Sequence, residues 1–181
     1  MNSIPISTIL KTDRLRLRAI SLSDTDLVWS ASRVLGFNDG MAWEPPENKE
    51  ELIPIAKQNI RAWEEGKSFT FTIELAETSN PIGRIVIRCD DNPSIWDIGF
   101  WVHPDYWSRG YATEAARAII DFGMNELSAL KITAAHATWN TPSKRVIKKL
   151  GFRFTGENPC GFVKRGNPVP EYEYVIEATV F

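Results

Sequence analysis

The amino-acid sequence predicts a mixed α/β fold, one sheet with helices packed against it. Short stretches in which apolar and polar residues strictly alternate recur along the chain, as in half-buried strands. Between them lie longer stretches whose apolar residues repeat at helical spacing. Residues 96–118 join an almost wholly apolar strand, through a turn at Gly110, to a helix. The 181 residues suffice for a sizeable core. No internal repeat, low-complexity tract or linker interrupts them, so residues 1–181 read as one domain.

The elements follow in order. Arg14, Leu15, Arg16, Leu17 and Arg18 alternate as the first strand, with the arginines on a solvated face. Ser23 caps the first helix, with Asp24 and Asp26 in its first turn, and the helix runs to about Arg33. Residues 35–46 are rich in turn formers yet carry Phe37, Met41 and Trp43, large apolar groups that must dock somewhere. Asn48 and Glu51 make a capping-box-like start to the second helix. Leu52, Ile55, Ala56, Ile60 and Trp63 form its stripe, and Gly66 marks its end. Pro54 within the stripe predicts a kink or a later true start.

Phe69, Phe71, Ile73 and Leu75 alternate as a strand, residues 78–81 turn, and residues 82–89 return. A turn at 90–93 leads into the strand 96–102. Ala112, Ala115, Ala116, Ile119, Ile120 and Gly123 mark the apolar face of the third helix. Residues 131–138 form a strand. Thr141 can cap a fourth helix, a role open to Asn140 as well, with Pro142 at its first position and Gly151 as its stop. Residues 152–156 are a short strand, 157–169 a Gly/Pro/Asn-rich loop, and Tyr172, Tyr174 and Ile176 a last strand. The order is β-α-α-β-β-β-α-β-α-β-β.

A net charge of −2 leaves no basic footprint, so nucleic acid is not implied. Seven Trp is a high count, which suits a core with some aromatic groups left for a pocket. Cys89 and Cys160 lack metal or redox spacing and read as free thiols in a reducing compartment, hence a cytoplasmic protein without a metal. The start, residues 1–6, lacks a basic flank and a long apolar run, so neither a signal peptide nor a membrane span is expected.

Chemistry concentrates at Gly110. Where a loop enters a helix, the amides of the first turn have no intrahelical partner and carry the positive end of the helix dipole. Such a site binds phosphate or pyrophosphate, and glycine removes the Cβ that would hold the anion away. The same residues also fit a plain turn. Neither a Walker loop nor the dinucleotide glycine spacing is present.

Residues 97–115 (Asp-Ile-Gly-Phe-Trp-Val-His-Pro-Asp-Tyr-Trp-Ser-Arg-Gly-Tyr-Ala-Thr-Glu-Ala) resemble the acetyl-CoA-binding segment of the GNAT N-acetyltransferase superfamily. They look most like the branch typified by the ribosomal-protein-alanine (Rim-type) N-terminal acetyltransferases. The superfamily loop, Gln/Arg-x-x-Gly-x-Gly/Ala, here reads Trp107-Ser108-Arg109-Gly110-Tyr111-Ala112. Trp at its first position departs from the general consensus but is usual in this branch. A second block, Asn140-Thr141-Pro142-Ser143 followed by Leu150-Gly151-Phe152, matches the branch's other hallmark. The resemblance covers residues 10–178. It implies the GNAT fold, a single mixed, mostly antiparallel twisted sheet flanked by helices.

The implied reaction is acetyl transfer from acetyl-CoA to an amine by direct attack. In the resemblance, the strand 96–102 splays from the strand 131–138, and the pantetheine arm lies between them, pairing with Phe100, Trp101 and Val102. The Val102 N–H faces the thioester oxygen. Trp107, Ser108, Arg109, Gly110, Tyr111, Ala112 and Thr113 hold the coenzyme's phosphates, and Asn140 holds its pantetheine. Ser143 is the general acid beside the sulfur. Asp97 stands where some members carry a catalytic Glu, His136 is a weaker base candidate, and His103 is structural. Trp43 and Glu44, in the acceptor loop, are the substrate-binding candidates. The acceptor is a protein or peptide N-terminal α-amine or a small-molecule amine. A non-catalytic acyl-CoA-binding module is the alternative from another class. The protein is expected as monomer or homodimer, without nucleic-acid or membrane partners.

Overall fold

The strand β5 (Ile95–Val102) divides the architecture. Before it, β1 (Ile9–Lys11), β2 (Leu15–Ala19), β3 (Ser68–Leu75) and β4 (Pro81–Cys89) pair in sequence, each antiparallel to the next, with α1 (Thr25–Ser32) and α2 (Leu52–Glu64) inserted between β2 and β3. After it come α3 (Tyr111–Asn125), β6 (Lys131–Ala137), α4 (Thr141–Lys149), β7 (Arg153–Lys164) and β8 (Asn167–Glu177). One eight-stranded sheet results, in the order β1-β2-β3-β4-β5-β6-β8-β7. Among the described residues, only β5 and β6 pair in parallel, because α3 carries the chain back between them. This computed structural model describes residues 4–178. Residues 1–3, on which the signal-peptide reading partly rests, and 179–181, the end of the expected domain, lie outside the described residues.

Alternation fixes which face is the core. Leu15, Leu17, Phe69, Phe71, Ile73, Ile85, Ile87, Trp96, Ile98 and Ile132 share one face and pack with Ala115, Ala116, Ile119 and Phe122 of α3 and Ile147 of α4. The opposite face is polar at its centre. Arg16 and Arg18 of β2 ion-pair with Glu74 of β3, and Arg18 also grips Asp24 through two bonds of 2.7 and 2.9 Å. Asp24 precedes α1 and also accepts from the Ser21 amide and the Thr72 hydroxyl, which anchors α1 on this face.

Several elements differ from the sequence expectation. The segment 157–169 is not a loop: it extends β7 and begins β8, a hairpin that turns at Arg165 and Gly166, both of positive φ. Pro159 and Gly161 fall where the register shifts between Asn158 and Phe162. The Pro170 carbonyl accepts from Thr138, so the missing N–H groups of Pro168 and Pro170 face an edge beyond the end of β6 and cost no ladder bond. β1 is an additional strand, too short to stand out by pattern. Arg16 and Arg18 are ion-paired rather than simply solvated. The cap of the first helical segment is Ser21 with Asp24, ahead of Ser23. Pro54 lies in the first turn of α2, where no intrahelical bond is lost, so the later start holds.

Candidate active site

The loop before α3 has an unusual backbone. Ser108 and Gly110 both take positive φ, 62° and 83°, and Gly110 is the N-cap of α3. Among the described residues, none supplies an acceptor for the amides of residues 108–113; the first helical bond runs from Glu114 to the Gly110 carbonyl. A run of free amides at a helix N-terminus is a ready anion site.

Three contacts brace this loop. The Trp107 indole nitrogen donates to the Val102 carbonyl at 2.6 Å. The Arg109 guanidinium donates to the Asp105 carbonyl at 3.0 Å. Arg14, from the start of β2, donates to the Arg109 carbonyl at 3.1 Å, lies over the Tyr111 ring, and forms an ion pair with Glu114. Glu114 also accepts from the Thr12 hydroxyl at 2.6 Å and the Arg14 amide at 2.9 Å. Sequence reasoning missed this brace. Its members lie about a hundred positions apart, and nothing local to either segment signals the pairing.

The free edge of β5 is the second feature. β6 pairs with β5 only as far as Ile98 opposite Ala134, whereas β4 pairs with β5 as far as Val102. The His103 amide donates to Ile82 of β4, so by the period of two the groups of Phe100 and Val102 point the other way, into the gap. The Thr133 hydroxyl bond to the Trp96 carbonyl agrees with this parity. Trp107 occupies the Val102 carbonyl and leaves its N–H free.

The third wall is the start of α4. Asn140, not Thr141, is the N-cap: its Oδ1 accepts from the Ser143 amide at 3.2 Å, with Pro142 in the first turn. The Ser143 hydroxyl makes no bond to any described residue. The loop over the cleft reaches Asn140 through Gly40, where a Cβ would lie 2.7 Å from the Asn140 amide nitrogen. Together these walls enclose a cleft of about 550 Å³ lined by Phe37, Met41, Phe100, Trp101, Val102, residues 106–108 and 110–113, Asn140, Ser143, Arg145 and Lys149, among others. A larger groove of about 880 Å³ runs beside β1 and α3, behind the Gly110 loop, away from Val102 and Ser143. Among the described residues, no carboxylate and no imidazole lines the cleft.

The remaining candidates stand elsewhere. Asp97 is on the opposite face of β5 from Val102. At about 3.3 Å per residue the two are about 16 Å apart along the strand. Burial pushes the Asp97 carboxyl up in pKa, against the ion pair with Arg88 and the Thr133 hydroxyl at 3.4 Å. Glu44 is 3.3 Å from Lys164 and 3.7 Å from Arg165. Lys164 also donates to the Met41 and Trp43 carbonyls, tying the β7–β8 hairpin to the loop. The Trp43 ring packs edge-on against Phe37 behind the cleft wall. Neither Trp43 nor Glu44 lines the cleft. His136 is buried on the core face, its ring nitrogens 2.8 Å from the Ala137 carbonyl and 3.1 Å from the Tyr174 hydroxyl, and burial lowers its pKa. The His103 side chain accepts from the Asp105 amide in its turn. Cys89 and Cys160 are free thiols.

A mixed sheet split beside one parallel pair, with a free-amide loop at the mouth of the split, is the architecture of an acyl-coenzyme A acyltransferase. The chain belongs to the GNAT acetyltransferase family: residues 14–153 match the acetyltransferase (GNAT) domain model. It is 35% identical to the uncharacterized N-acetyltransferase YnaD of Bacillus subtilis (strain 168), over 80% of this chain and 91% of that one. The GNAT-family acetyltransferase from Bacillus anthracis superposes with a TM-score of 0.83 at 26% identity, covering 94% of this chain and 98% of that one. RimL, a ribosomal L7/L12 alpha-N-protein acetyltransferase solved in complex with coenzyme A, shares the fold with a TM-score of 0.85 at 15% identity, over 94% and 98% of the two chains. The protein is thus an N-acetyltransferase, and the family's acetyl donor is acetyl-CoA. Among the described residues, no helix is long and apolar enough to cross a membrane.

Proposed function

We propose that this chain, as one domain with its core at residues 10–178, transfers the acetyl group of acetyl-CoA to the N-terminal α-amine of a protein or peptide. The free amides of residues 108–113 would hold the pyrophosphate, with Arg145 and Lys149 as the cations of the same cleft. The free edge of Phe100 and Val102 would pair with the pantetheine arm, and the Asn140 amide nitrogen would donate to it. The Val102 N–H would face the thioester oxygen, a donor worth roughly 3 kcal/mol where measured in other enzymes. The Ser143 hydroxyl would donate to the departing sulfur, which leaves readily because a thiol has a pKa of about 8.5.

The observation that carries the α-amine is the cleft without a carboxylate or imidazole. An α-amine has a pKa of about 8 and a Lys side chain about 10.4. Near neutral pH the first is already partly neutral and needs little help. Asp97, the base candidate, reaches the amine only through a chain of waters. Trp43 and Glu44 act from behind, by fixing the Phe37 wall. RimL is named for the same kind of acceptor. A small-molecule amine is the second reading, favoured by Asp97 and Glu171 on the other sheet face, close enough to raise the Glu171 pKa beyond the effect of its burial.

The test is a peptide carrying both a free α-amine and a Lys, incubated with acetyl-CoA and mapped by mass spectrometry. Acetyl on the N-terminus supports the proposal. Acetyl on the Lys, or only on small amines offered beside the peptide, contradicts it.

A further inference from the structure

Among the described residues, Arg84 of β4 has no partner for its charge. It stands opposite Trp101 of β5 in the sheet register, on the polar face and at the level of the free Val102 edge. Its Nε is sealed from solvent without a hydrogen-bond partner. Among the described residues, its guanidinium has no ion pair, and the other arginines without one are exposed. Burial lowers its pKa, opposed by Asp24 and reinforced by Arg18. Asp24 is already held by Arg18, Ser21 and Thr72, and Glu74 by Arg16 and Arg18. This cluster therefore holds three cations, Arg16, Arg18 and Arg84, against two carboxylates, Asp24 and Glu74, and one positive charge is left over locally; farther along the same face Arg88 is paired with Asp97, and Glu171 lies on β8, three strands from Arg84.

A second group in this neighbourhood is also unsatisfied. The Trp101 ring meets the Phe37 ring edge-on at 5.3 Å. Asn38, the next residue of that loop, is 5% exposed, and neither its Oδ1 nor its Nδ2 has a partner. A half-buried charge whose Nε is sealed without a partner, and a buried amide without partners, are both unfavourable in a finished core. Such violations of local rules gather where a ligand completes the structure.

The geometry points to a carboxylate-binding subsite for the acceptor, with Arg84 as its cation and Asn38 as its neutral donor, so that the preferred acceptor is an amine bearing a nearby carboxylate. This rests on the proposed reaction at Val102. One carboxylate cancels the one surplus charge, and the guanidinium fork matches it with two parallel bonds. The carboxylate is either an acidic side chain near a peptide N-terminus or the α-carboxylate of a free amino acid.

The experiment compares two matched acceptor pairs: a peptide with Asp against Asn at its second position, and an amino acid against its amide. The wild-type protein should favour the carboxylate member of one pair in kcat/KM by about tenfold to a hundredfold. The pair that shows the preference identifies the source. Arg84→Met should bring the ratio close to one. No preference in either pair, or a preference that survives in Arg84→Met, overturns the subsite. Transfer to none of the four acceptors would defeat the proposed α-amine reaction. The subsite is then read without turnover, from the Arg84 Nε–H resonance titrated with the N-acetylated Asp and Asn peptides. A shift with the Asp peptide alone supports it, and equal shifts or none overturn it. Arg84→Met should also raise the melting temperature, because it removes a half-buried charge without a partner, whereas a fall would reveal a structural partner and overturn the assignment.

Discussion

The Trp107 indole donates to the Val102 carbonyl at 2.6 Å and so joins the anion loop to the free edge of β5. The same residue that ends the strand is thereby divided in function. Its carbonyl is consumed within the protein, and its N–H is left free on the edge of β5.

Trp107→Phe tests that division. It keeps the aromatic volume and removes one donor, with a stability loss of about 1 kcal/mol. The KM for acetyl-CoA should rise and kcat fall together, because both loop and strand end lose their alignment. Steady-state kinetics beside a thermal melt checks this, and a variant that melts lower yet turns over normally would separate the bond from the site.

Ser143→Ala should lower turnover by about tenfold to a hundredfold, at the weak end of acid catalysis because the thiolate is a tolerable leaving group. Coenzyme A affinity should change little, since the Ser143 contact with Asn140 is made by its backbone. Turnover equal to wild type would remove Ser143 as the acid.

Asp24 controls acid stability. Burial raises its pKa, but the bonds from Arg18, Ser21 and Thr72 outweigh this and hold it below 3.8. A depressed carboxyl stabilises the fold above its unfolded value, and the stabilisation is lost as the pH falls from 3.8 through the folded value. Asp24→Asn should cost about 3 kcal/mol by leaving Arg18 short of its partner. Urea titrations at neutral pH give the loss, and melts at successively lower pH should show the variant flatter than wild type.

His136 acts in the same direction at higher pH. Burial lowers its pKa from 6.5, so in this range the unfolded chain binds more protons than the folded one. Stability should therefore decline as the pH falls below 6.5 and stop declining below the folded pKa. Melting temperatures between pH 8 and 5 check this, with His136→Gln expected to remove the slope contributed by the imidazole.

The sequence carried most of this architecture, for identifiable reasons. Alternation at Leu15 and Leu17 and at Phe69, Phe71 and Ile73, and the stripe from Ala115 to Ile120, report burial on one face, and burial is what the pattern encodes. The β7–β8 hairpin was hidden because Pro159, Gly161, Pro168 and Pro170 are turn residues by type, and only the pairing partner shows that they sit at a bulge or an unpaired edge. The entry to α3 at Gly110 was legible from the switch between strand and helix patterns around it, and Asn140 and Ser143 stood out through the family resemblance of residues 140–152. The Arg14–Glu114 brace and the unpaired Arg84 were not, because each depends on which distant strand lies alongside.

The most direct test of the account is calorimetric titration of coenzyme A into Gly110→Val beside wild type. At φ 83° a β-branched residue is strained, and its Cβ would lie 3.4 Å from the Arg14 guanidinium that braces the loop. Binding should weaken by at least about a hundredfold, or about 2.8 kcal/mol at about 1.4 kcal/mol per tenfold, in a protein whose circular dichroism remains that of wild type. Unchanged affinity would contradict the assignment of residues 108–113 as the anion site and, with it, the placement of the thioester at Val102.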